Sequence, residues 1–260
     1  MPPARVQLQV DGAVARLRLA RPELRNAFDG ATVAELRAAV AGISAREDVR
    51  VVVLAGEGTV FSAGADLAWM QTVAGFSAEQ NVADALELAG LLDALDRSPK
   101  AVVARVHGAA LGGGAGLVAV ADVAVAASGT VFGFTEVRLG LVPAVISPWV
   151  LRKIGVSAAR ELFLTGERFG ADKALAIGLV HRVVPESELD SVVEERVREL
   201  LRAAPGAVAE AKALVRDVAG REPSEVRTST AQRIARRRAS PEGQEGLEAF
   251  LEKRKAAWDR

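Results

Sequence analysis

Glu136 is an acid among apolar neighbours, in the segment FGFTEVRLGLVPAVISPW at 132–149, with Phe132, Phe134, Val137 and Leu139 close by in sequence. Burial among such neighbours would raise its pKa towards a value useful for moving protons. The same pattern also suits a surface carboxylate paired with Arg138. Two further stretches offer backbone chemistry: FSAGADL at 61–67 and LGGGAGL at 111–117 each follow an apolar run and lead into a helical pattern. Small residues let backbone N–H groups approach a ligand, and a helix start adds unpaired donors and partial positive charge. One N–H from each loop, meeting at one oxygen, would form an oxyanion hole, where a preorganised donor is worth about 2.7–4 kcal/mol of transition-state stabilisation.

Other readings of the glycines stay open. A phosphate loop would require Lys-Ser or Lys-Thr after its last glycine, and a dinucleotide fingerprint would require G-x-G-x-x-G. Gly112, Gly114 and Gly116 give G-x-G-x-G, which weakens the nucleotide-binding reading without removing it. Small residues there could also simply permit close helix packing. No G-x-S-x-G nucleophile motif occurs. The chain has no cysteine and two distant histidines, His107 and His181, so neither disulfides nor a metal site is expected. His107 and Asp122, at element boundaries, read as structural, and Asp66 reads as the cap of the helix after its loop.

These groups must be held by regular elements. Residues 5–20 alternate apolar and polar around Asp11-Gly12, which predicts a β-hairpin. Val33, Leu36, Val40 and Ile43 recur at helical spacing, and 49–56 is a buried strand. A helix runs from Ser77 to Leu95, with Ser77 and Gln80 as a capping box. A strand at 100–108 precedes the glycine loop, a short helix is expected at Leu117–Ala121, and a strand at Val123–Ala127. Alternation of strands and helices to about residue 184 indicates an α/β core with parallel strands. Leu189, Val193, Val197 and Leu200 mark another helix. The expected division is a core at 1–204 and a helical region at 205–260 that packs on the main body or on another subunit. The run RIARRR at 233–238 reads as a solvated helix face with Ile234 turned inward.

With 260 residues, half of them hydrophobic, the chain can bury a sizeable core. Basic and acidic residues balance at 33 each, so no global field favours nucleic acid or an anionic membrane. The N-terminus lacks a signal-peptide pattern, and no apolar stretch of about 20 residues spans a membrane. A cytoplasmic protein is expected.

Taken together, RPELRNAFDG, FSAGADL, HGAALGGGAGL, FGFTEVRLGLVP, LTGERFGADKALAIGLVHRVVP and AFLEKRKAAW occur in an order and spacing that resembles the enoyl-CoA hydratase/isomerase (crotonase) family over nearly the whole chain. The resemblance implies a β/α spiral core and a C-terminal helical trimerisation region, in a homotrimer or homohexamer that binds acyl-CoA thioesters. It implies no separate cofactor, coenzyme A being part of the substrate. By motif position, the oxyanion donors would be the N–H groups of Ala65 and Gly113. The carbonyls of Ala63 and Ala65 would meet the adenine, and Arg25 would lie near the CoA phosphates. Phe250 and Lys253 would reach CoA from the C-terminal helix, in some members that of a neighbouring subunit.

Two-glutamate hydratases of the family carry one carboxylate at the position of Gly116 and another at that of Glu136. Only Glu136 is kept here. The resemblance therefore implies hydration of an enoyl-CoA by one glutamate, with isomerisation through a single proton shuttle, or acyl-CoA binding without turnover, as alternatives. Ala144-Val145-Ile146-Ser147-Pro148 resembles methylglutaconyl-CoA hydratases, so a branched or carboxylated substrate such as 3-methylglutaconyl-CoA is the favoured expectation. The acyl pocket wall is expected within 68–92, where Trp69, Met70 and Phe76 make it apolar.

Overall fold

The computed structural model of the chain describes residues 4–259. Its strands are β1 (Val6–Asp11), β2 (Val14–Leu19), β3 (Val51–Gly56), β4 (Ala101–Val106), β5 (Ala109–Leu111), β6 (Val123–Ala127), β7 (Val131–Gly133), β8 (Arg168–Gly170) and β9 (Arg182–Val184). Among them run the helices α1 (Gly30–Ala45), α2 (Leu67–Val73), α3 (Ala78–Arg97), α4 (Gly113–Val120), α5 (Ser147–Thr165) and α6 (Ala171–Ala176). After β9 come α7 (Leu189–Leu201), α8 (Pro205–Val218), α9 (Pro223–Ala239) and α10 (Pro241–Leu251).

The main sheet has the order β1-β2-β3-β4-β6-β9. The β1–β2 hairpin is antiparallel, and each later pairing is parallel. A parallel sheet needs cover on both faces, which is why its strands read as unbroken apolar runs. All six residues of β3 are buried. Val52 and Leu54 face a core shared with Leu36, Val40 and Ile43 of α1 and Leu91, Leu92 and Leu95 of α3. Val51 and Val53 point the other way, against Leu189, Val193 and Val197 of α7. A second sheet, β5-β7-β8, is made of three-residue strands.

The helical periodicity at 33–43 and the Ser77–Gln80 capping box are present as the sequence predicts. One helix differs. The expected Leu117–Ala121 segment begins four residues earlier, at Gly113, so the glycines form its first turn. Glycine opposes helix formation, but packing decides here: every residue from Gly114 to Val120 is buried.

Beyond residue 204 the helices are tied to the core by cations that collect backbone carbonyls. Lys212 of α8 donates to the carbonyls of Leu95 and Lys100 at 2.9 and 3.2 Å and pairs with Asp122 at 2.8 Å. The Arg50 guanidinium donates to the carbonyls of Leu201, Ala203 and Trp258. RIARRR is solvated as expected, with Arg233 pairing with Glu210 and Asp217. Its Ile234 is half exposed rather than turned inward, because α9 buries no residue within one chain. No helix among the described residues is long and apolar enough to cross a membrane.

Candidate active site

The loop at 61–67 is clamped on two sides. Phe28 N–H donates to the Gly64 carbonyl and Asp66 N–H to the Phe28 carbonyl, both at 2.7 Å, so residues 64–66 run alongside Phe28. On the other side Ser62 N–H donates to Ala109 O and Leu111 N–H to Ser62 O, each at 3.0 Å. That exchange joins the first loop to the strand leading into the second. Asp66 caps α2, accepting from Ala68 N–H at 2.8 Å and Trp69 N–H at 3.3 Å, and pairs with Arg21 at 3.0 Å.

Sequence reasoning missed the residue that anchors this arrangement. Asn26 is buried with φ 53°, a left-handed conformation that asparagine tolerates better than most residues. Its amide donates to the carbonyls of Glu57 and Val60, each at 2.8 Å, and its Oδ1 accepts from Arg21 N–H at 2.9 Å. The motif RNAF carries a signal for it, since a polar residue between apolar ones often satisfies backbone groups.

In the second loop Gly112 holds φ 50° and ψ −120°, which disfavours any side chain, and its N–H donates to Gly133 O at 2.9 Å. A Cβ at Gly112 would also lie 3.3 Å from Glu136 Oε1, so the bare backbone leaves room for that carboxylate. Gly116, one turn into α4, is buried, and a Cβ there would meet Ile146 Cγ2 at 2.4 Å. The space into which an acid at position 116 would project is thus filled by a buried isoleucine.

Glu136 begins a short 3-10 turn, Glu136–Leu139, closed by Gly140 in the left-handed conformation. Its side chain is half-buried, and burial pushes its pKa above the ordinary carboxylate range. Oε2 is sealed from solvent without a hydrogen-bond partner. No ion pair joins it to Arg138 or to any other described residue.

Ala65, Gly113 and Glu136 line one cavity of about 520 Å³, bounded by the start of α1, by α2, by α3 and by the segment 141–146. Among the described residues neither the Ala65 N–H nor the Gly113 N–H donates to a backbone acceptor. Two free N–H groups and an unpaired, partly desolvated carboxyl on a mainly apolar wall can polarise a carbonyl oxygen and move a proton beside it.

This chain is matched from residue 9 to 260 by the family model for enoyl-CoA hydratase/isomerase. The chain belongs to the enoyl-CoA hydratase/isomerase family. It is 33% identical over 251 residues to the crotonyl-CoA hydratase of Syntrophomonas wolfei, covering 96% of this chain and 95% of that one. Its fold superposes on the crystal structure of an enoyl-CoA hydratase from Shewanella pealeana with a TM-score of 0.95, at 41% identity over 98% of this chain and 96% of that one. AtuE of Pseudomonas aeruginosa gives the same TM-score at 38% identity, over 99% of this chain and all of the other. The α/β core with C-terminal helices is therefore the crotonase-like fold.

Within this hydratase/isomerase frame the remaining sequence candidates fall outside the cavity wall. Arg25 is exposed, and its carbonyl accepts from Ala63 N–H at 2.9 Å, so the two sit together beside the 61–67 loop. Phe250 is 81% exposed on α10, and Lys253 follows it on the surface with φ 55°. Neither lines the cavity of its own chain. His107 has a structural setting: its Nε2 lies 2.9 Å from Gly58 O, and its Nδ1 lies 3.0 Å from an Arg105 nitrogen. Asp122 accepts from Val102 N–H at 2.7 Å as well as from Lys212. Of the expected wall residues, Trp69 and Met70 line the cavity, and Phe76 supports Trp69 edge-on at 5.8 Å. No group of three or more His, Asp or Glu side chains among the described residues is arranged to hold a metal ion.

Proposed function

We propose that the protein adds water across the α,β double bond of an acyl-CoA thioester. The observation that carries this reading is the convergence of Ala65, Gly113 and Glu136 on one mainly apolar cavity. The thioester oxygen accepts from the Ala65 and Gly113 N–H groups. Glu136 takes a proton from water as the water oxygen bonds to the β-carbon, and the double-bond electrons move to the thioester oxygen as an enolate. The enolate collapses as Glu136 returns the proton to the α-carbon, so that H and OH have been added and the carboxylate is regenerated. Each N–H contributes most at the enolate stage, where charge sits on oxygen.

Coenzyme A enters as part of the substrate, and the reading assigns no separate cofactor or metal. Arg25 and the carbonyls of Ala63 and Ala65 serve its nucleotide end. Phe250 and Lys253 serve a neighbouring copy, for which their exposure speaks. The assembly is a homotrimer or homohexamer acting in the cytoplasm, with no role for nucleic acid or membrane. A branched acyl group fits the apolar wall.

A second reading, isomerisation, is favoured by Ile146 filling the space beside Gly116, because moving a double bond needs only one base. The deciding experiment follows loss of the conjugated thioester absorbance with crotonyl-CoA and 3-methylcrotonyl-CoA, for wild type and Glu136→Gln. Hydration by the wild type that falls about 10²-fold or more in the variant supports the proposal. Solvent deuterium entering the α- or γ-carbon without hydration selects isomerisation. Thioester binding with neither reaction selects a non-catalytic carrier.

A further inference from the structure

The cavity wall contains four acids, Asp29, Asp84, Glu87 and Glu136, and no lysine, arginine or histidine. Two of the acids are neutralised from outside it. Asp29 pairs with Arg21 at 3.1 Å and Arg5 at 3.4 Å, and Glu87 pairs with Arg37 at 2.5 Å. That leaves Glu136, the proposed proton carrier, and Asp84, which the sequence did not single out.

Asp84 is partly buried on α3. The Trp69 side chain is near enough to act on it as a donor across the wall, and the Trp69 ring is itself held edge-on by Phe76 and packed over Gly30. Leu88 Cδ2 lies 4.0 Å from where a Gly113 Cβ would be, and Asp84 sits one helical turn from Leu88, about 5.4 Å along the axis. Asp84 thus shares a helix face with Leu88 and a cavity wall with Ala65, Gly113 and Glu136. The groups proposed to act on the thioester, the Ala65 and Gly113 N–H groups and Glu136, all line this wall, whereas Arg25 and Ala63 among the nucleotide-end candidates do not, which assigns the chamber to the acyl end.

We propose that Asp84, fixed by Trp69, is a specificity residue that makes the acyl chamber accept neutral acyl tails and reject tails ending in a carboxylate. A tail carboxylate would enter a chamber whose wall carries the Asp84 carboxylate and no cation of its own, the nearby arginines being already paired with Asp29 and Glu87, and like charges brought together with water excluded repel strongly. A neutral branched tail meets no such cost, and a tail hydroxyl could donate to Asp84. Burial raises the Asp84 pKa, opposed by the Trp69 donor, as befits a carboxylate held on a wall rather than in bulk solvent. The inference narrows the expectation from the sequence: the branched half of the methylglutaconyl resemblance suits this wall and the carboxylated half does not.

The proposal rests on the acyl-CoA reading, and its test uses binding so that it does not depend on turnover. Isothermal titration compares isovaleryl-CoA with 3-methylglutaryl-CoA, saturated thioesters that differ by a terminal carboxylate, and with free CoA. The wild type is expected to bind the neutral thioester at least about tenfold more tightly. Asp84→Asn keeps the shape and an acceptor for Trp69, and is expected to narrow the ratio severalfold by improving only the anionic ligand. Asp84→Ala should shift the ratio the same way, and a thermal melt of each variant verifies that it is folded. Equal binding of both thioesters by the wild type, or a ratio unchanged in both folded variants, overturns the proposal. Binding of free CoA with no gain from either acyl group also overturns it, while leaving CoA recognition intact. Failure to bind any of the three removes the acyl-CoA reading and the proposal with it.

Discussion

The Glu136 carboxyl has one oxygen closed off from solvent with no donor to it, and burial raises its pKa. The proton is thus held more tightly in the folded chain than in the unfolded one. Stability from this group is fully present below the unfolded carboxylate pKa and is lost as pH rises through the folded value. Glu136→Gln removes the penalty of the ionised form. The variant is therefore expected to melt higher than wild type near pH 7, with the gain shrinking towards pH 4. Melting curves at the two pH values check this, and an unchanged gap would mean that the charge costs nothing where it sits. Glu136 was legible in the sequence because its apolar neighbours lie beside it in the chain. Asn26 was not, because its partners are the carbonyls of Glu57 and Val60, 31 and 34 residues away, and no local pattern encodes them.

At the scale of elements, Gly116 and Ile146 form one packing unit between α4 and the segment leading into α5. Restoring an acid by Gly116→Glu alone forces the new Cβ into Ile146 Cγ2, and overpacking of this kind costs about 1–3 kcal/mol. Ile146→Ala alone opens a cavity, at about 2–5 kcal/mol. Together they should compensate, so that urea denaturation finds the double variant more stable than the sum of the single losses predicts. Strict additivity would show that the two positions do not share the space. The presence of α4 was readable from its apolar run, but its start was not. Gly113 and Gly114 argue against helix locally and are overruled by the burial of the run from Gly114 to Val120. The three-residue strands β5, β7 and β8 were equally illegible as a sheet, being too short to display an alternation.

For the whole molecule, the parallel core could be read ahead because apolar runs and helical spacing alternate along the chain. The outward faces of α9 and α10 could not be interpreted in that way, since local periodicity does not encode a partner surface. Phe250 and Leu251 are 81% and 77% exposed on one chain, and adjacent large apolar residues in this state mark an interaction surface. Sedimentation is expected to give three or six times the mass of one chain, and replacing both residues with aspartate should shift the distribution to smaller species. A wild type that sediments as one chain would refute the trimer or hexamer. Trp69 adds a last consequence. The chain has no tyrosine and three tryptophans, and only Trp69 lies on the cavity wall, between Phe76 and Asp84. Its near-ultraviolet emission responds to the polarity of that space, so a ligand entering the chamber displaces water from beside an indole the protein already carries. Occupancy of the site can be followed by light, without a label.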